Sequence, residues 1–198
     1  MKYTIKRTKR NFIILCSSFL IVCQIVLGLF FFFNGPTKLD TLQIVIRNIL
    51  YMIPYGYLML VFVDYFKHYQ LKVLQIITIT ILIFEIVTIG CVFINLYNPI
   101  ISRFILSVIS AIWVITIIIW IILLFRPKIK DYTAMLSIRN FAVGMLLFLV
   151  VGIIPSIPSI PSLVKPTNIF AMLQLVSIAL AIPFIFTIDF AMKLQLKE

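Results

Sequence analysis

The hydrophobic positions of this chain fall into long blocks, and short polar clusters separate them. The blocks lack the strict alternation of a half-solvated strand and are apolar on nearly all sides, as membrane helices are. Blocks 12–33, 42–63, 73–94, 104–125, 134–154 and 169–190 predict six transmembrane helices. A hydrocarbon core of about 30 Å needs about 20 helical residues. Blocks 12–33 and 104–125 satisfy this with 22 residues each and no charge. Block 134–154 is weaker, and reaches the required length only if Arg139 snorkels to the interface.

The breaks between blocks carry turn chemistry. Asn34, Gly35 and Pro36 end the first helix on steric and donor grounds. Pro54 predicts a kink inside the second. Residues 64–72 read as an aromatic and basic interface loop, and Asn98 with Pro99 as an outer turn. Proline recurs at every third position across 155–162, which excludes helix and favours an extended outer loop on or in the membrane surface. The basic tail before Phe12 resembles the start of a signal peptide. The apolar block after it is too long for one and ends in four phenylalanines, so it reads as a retained helix.

Composition agrees with a single polytopic membrane domain. The 198 residues are 63% hydrophobic and 12% charged, whereas soluble domains carry about 25% charged residues. The net charge of +11 does not point to nucleic acid, because the basic residues flank apolar blocks. Thirteen of seventeen Lys and Arg fall in the tail, in 64–72, in 126–140 and at the C-terminus. That asymmetry predicts both termini in the cytoplasm. Abundant Ile, Lys and Phe fit a low-GC bacterium, and hence a multi-pass protein of the bacterial cytoplasmic membrane. Cys16, Cys23 and Cys91 all lie inside apolar blocks without paired spacing, so they read as small buried hydrophobes.

Candidate chemistry concentrates in the second and third blocks. Glu85 is the one acid near the middle of a block, and an ionised group there is costly unless it faces a partner or a wet cavity. At 100° per residue, Arg47, Asn48, Tyr51 and Tyr55 occupy about a 100° arc. Gln75, Thr78, Glu85 and Thr88 share a wider one. Depth along the helices puts Arg47 roughly 8 Å and Glu85 roughly 14 Å below the outer surface, within an arginine's reach. The candidate ligand-binding residues are therefore Arg47, Asn48, Tyr51, Tyr55, Glu85 and Thr88, around an Arg47–Glu85 pair. Two structural readings compete: the pair only fastens two helices, or Glu85 stays protonated and bonds a local acceptor. Ser107, Ser110, Trp113, Thr116 and Trp120 lie toward one side of the fourth block, as pocket wall or as packing. Asp189 near Lys193 reads as an interface charge, and His68 as an interfacial side chain.

No HExxH, phosphate loop, paired intramembrane aspartates or nucleophile–base arrangement occurs, so neither an enzyme nor a cofactor is expected. Size and six-helix layout are similar to the substrate-binding subunits of vitamin transporters of the energy-coupling-factor type. The alanine-rich motif of that family's first helix is absent. The resemblance implies a solute-binding or transport subunit in the lipid bilayer. The alternative is an accessory, sensor or immunity-type protein acting on a membrane-protein partner, and a lipid headgroup enzyme comes last.

Overall fold

The structure, a computed structural model, describes residues 3–34, 41–95, 99–127, 132–153 and 181–197. Among them are six helices: α1 (Arg7–Asn34), α2 (Thr41–His68), α3 (Lys72–Asn95), α4 (Pro99–Leu124), α5 (Tyr132–Ile153) and α6 (Ala181–Lys193). Two-residue strands, β1 (Thr4–Ile5) and β2 (Gln195–Leu196), flank them. Three helical stretches are long and apolar enough to cross a membrane: Arg7–Leu29, Ile49–His68 and Lys72–Cys91. Ala111–Leu124 and Thr133–Leu147 are shorter apolar stretches. The repeat at 155–162 and the first part of block 169–190 lie outside the described residues.

The chain forms two compact units, 39–130 and 2–38 with 131–198. In the first, α3 packs on both α2 and α4. Its buried residues Leu74, Thr78, Ile81 and Cys91 are spaced by four, three and ten, which keeps them on one helical face. The α2 side supplies Tyr55, Leu58, Met59, Phe62, Tyr65 and Phe66. The helix is continuous through Pro54 and runs on to His68, so most of the expected interface loop is helical. It stops there because the chain reverses tightly. Leu71 N–H bonds the Phe66 carbonyl (2.9 Å) and Gln70 N–H bonds that of Lys67 (3.1 Å). Gln70 takes the left-handed conformation (φ 57°) that such a Schellman cap demands and that glycine usually fills.

In the second unit, α6 packs on α1 and α5. The buried stripe of α1 is Ile13, Cys16, Ser17, Leu20 and Gln24. Against α5, Phe141 meets Phe184 (centroids 6.0 Å apart). Gly144 lies so close to Pro183 that a Cβ there would stand 3.0 Å from Pro183 Cγ. Partner numbers fall as chain numbers rise, so α5 and α6 are antiparallel. Arg139, expected to snorkel to the interface, is only 8% exposed. β1 and β2 pair in parallel, Thr4 opposite Gln195 and Ile5 opposite Leu196, which brings both ends of the described chain together.

Candidate functional site

Glu85 lies on the packed stripe of α3, four residues after buried Ile81 and on the face that carries Thr78. It is half-buried. One heptad earlier, the buried Thr78 hydroxyl donates to the Leu74 carbonyl (2.7 Å) and accepts the Trp120 indole N–H (2.9 Å). Both of its hydrogen-bonding roles are filled. Antiparallel register then carries Glu85 to Trp113, because both residues lie seven positions from that contact. Trp113 is indeed the indole beside the Glu85 carboxyl. The indole N–H approaches the carboxyl, but buried Trp113 Nε1 makes no hydrogen bond of full geometry among the described residues.

The opposite wall comes from α2. Tyr51 and Tyr55 stack one turn apart, with ring centroids 5.5 Å apart and planes at 17°. Tyr55 is fully packed, at 2% exposure. Both phenols lie within electrostatic reach of the Glu85 carboxyl. A carboxyl, two phenols and an indole N–H thus meet between three otherwise apolar helices. Such a cluster can hold a small polar or cationic group: the carboxyl supplies charge, the rings supply cation-attracting faces, and hydroxyls supply orientation.

The six candidate residues separate clearly. Tyr51, Tyr55 and Glu85 converge. Thr88 is on the same face of α3 as Glu85, but its hydroxyl donates to the Phe84 carbonyl of its own helix (2.8 Å). Arg47 and Asn48 lie on α2, and their side chains are outside the described residues, as are those of Ser107 and Ser110. Thr116 also bonds back into its own helix, to the Ile112 carbonyl (2.8 Å).

Sequence reasoning missed the Thr78–Trp120 contact, although a signal existed. Thr78 and Glu85 are seven residues apart, as are Trp113 and Trp120, which is the spacing of two successive rungs between antiparallel helices. It also missed two polar links in the other unit. Ser17 donates to the Ile13 carbonyl (2.8 Å) and accepts from Thr187 (2.5 Å), joining α1 to α6. Ser137 donates to Asp189 (2.5 Å) and accepts from Lys193 (3.2 Å), while Lys193 pairs with Asp189 (2.6 Å). Through Ser137, the Asp189–Lys193 pair of α6 thus clasps that helix to α5. Ser137 is wholly buried, so this trio offers no open nucleophile.

Comparisons with protein-family models, curated proteins and solved structures find no match to this chain.

Proposed function

We propose that this chain is a small polytopic membrane protein of six spans, with both ends cytoplasmic, that binds a small polar solute within the membrane. Its site is the cluster of Glu85, Tyr51 and Tyr55, with Trp113 in the wall and Arg47 and Asn48 nearby on α2. One observation carries the reading: the mid-helix carboxyl sits on the packed, aromatic-lined face of α3. A carboxylate inside a bilayer is expensive and is retained where it has a task. The role is that of a solute-binding or transport subunit without enzymatic activity. The pairing of the two chain ends supports an even number of crossings, and the distribution of Lys and Arg supports their cytoplasmic placement.

The test is a comparison of small molecules that co-purify with the protein and with Glu85→Gln, identified by mass spectrometry. A solute held by the first and lost from the second, at an unchanged unfolding temperature, is the expected result. Equal solute content in both sinks the reading. A loss of stability with no solute in either leaves Glu85 as a fastener, and co-purification of another membrane protein would then favour the accessory role.

A further inference from the structure

The joined ends of the chain present a basic cluster that the intramembrane site does not use. In the β1–β2 register, the residues that follow Ile5 and Leu196 are Lys6 and Lys197. The Lys197 N–H is bonded to the Ile5 carbonyl (2.9 Å), which fixes the two lysines as neighbours. Parallel strands lie about 4.8 Å apart, so two exposed ammonium groups are held within reach of one phosphate. Arg7, Lys9 and Arg10 follow within one turn of α1, and that turn contains no acid. Lys9 Nζ is tied to the Tyr3 hydroxyl (3.4 Å), and Tyr3 itself is buried. Arg10 Nε is buried and has no hydrogen-bond partner among the described residues. A guanidinium N–H withdrawn from water calls for an acceptor. The acid of the neighbouring helix end, Asp189, is already engaged by Lys193 and Ser137.

A second feature selects the source of the anion. On the face of α1 turned away from Arg10 runs an exposed apolar stripe, Phe12, Leu15, Phe19, Val22 and Val26, at spacings of three and four. Acyl chains cover such a stripe, and a free phosphate has no use for it. We propose that the clasped termini bind the phosphate of an anionic phospholipid headgroup, chiefly through Lys6 and Lys197, with the lipid tails along the exposed face of α1. Snorkelling lysine and arginine stems suit this depth. The site depends on membrane insertion alone and stands whether or not Glu85 binds a solute.

Purified protein in a neutral detergent is titrated with phosphatidylglycerol, with phosphatidylcholine or with inorganic phosphate, and retained lipid is counted by native mass spectrometry. Phosphatidylglycerol is expected to be retained over phosphatidylcholine. The double variant Lys6→Gln, Lys197→Gln is expected to lose retention by about fivefold for each cation removed. Arg126→Gln, an exposed cation of the other unit, is expected to keep it. Equal retention of the two lipids, an unaffected double variant, or full competition by inorganic phosphate overturns the lipid site. If the double variant fails to fold, graded salt on the unaltered protein decides. Collapse of the preference with salt supports the site, and a salt-independent preference contradicts it.

Discussion

The α3–α4 pair and the α5–α6 pair solve the same problem with different completeness. Each brings polar side chains between antiparallel apolar helices. In α5–α6 every polar group of the Ser137–Asp189–Lys193 trio has a partner, and the backbones close to a glycine–proline contact. In α3–α4 the Thr78–Trp120 rung is complete, while one heptad on the Trp113 indole is left unpaired beside Glu85. A finished polar contact between membrane helices fastens them. An unfinished one leaves capacity for something else, and the proposed solute site at Glu85 rests on that difference.

The sharpest way to break the comparison is to crowd both units equally. Gly144→Ala places a methyl 3.0 Å from Pro183 Cγ and 3.3 Å from its Cα, which backbone cannot easily yield. It should cost about 1–3 kcal/mol in detergent unfolding. Gly56→Ala meets only Leu82 Cδ1 at 3.6 Å and should be near neutral or slightly stabilising. Equal losses would mean that the two units are packed alike.

The two indoles give the next contrast. Trp120→Phe removes the partner of Thr78 and should cost about 0.6–2 kcal/mol. Trp113→Phe removes an N–H that is already unpaired, so the same unfolding measurement should register a smaller loss or a gain. A larger loss at Trp113 would show its N–H to be well satisfied.

The smallest effect belongs to the reversal between α2 and α3. Gln70→Gly relieves the left-handed backbone and should raise stability by a few tenths to about 1 kcal/mol. A destabilised variant would place the Gln70 side chain in a contact worth more than the strain.

How much of this was legible in the sequence follows from what each signal encodes. Long apolar blocks anticipated five helices, with ends up to five residues away, because hydropathy sums over many positions. The helix ends were less legible. Nothing between Val63 and Tyr69 breaks a helix, so α2 runs on to His68, and its stop depends on a left-handed glutamine that composition does not announce. Arg139 illustrates the other limit. Its charge suggested exposure at an interface, whereas the side chain is buried. At the candidate site, the cost of a mid-block charge brought out Glu85, and helical phase brought out Tyr51 and Tyr55. Thr88 shared their phase yet satisfies its hydroxyl locally, a choice that phase cannot encode. The Ser17–Thr187 and Ser137–Asp189 contacts join residues far apart in the chain, and only the pairing of helices reveals them.

The central claim, that the Glu85 cluster receives a polar solute, is tested most directly by cysteine accessibility. In a background with Cys16, Cys23 and Cys91 replaced, Glu85→Cys, Tyr51→Cys and Thr78→Cys are exposed in membranes to a charged, membrane-impermeant thiol reagent. The account predicts modification at positions 85 and 51 and protection at 78, whose rung is closed. Protection at all three would show dry packing around Glu85 and contradict the solute site.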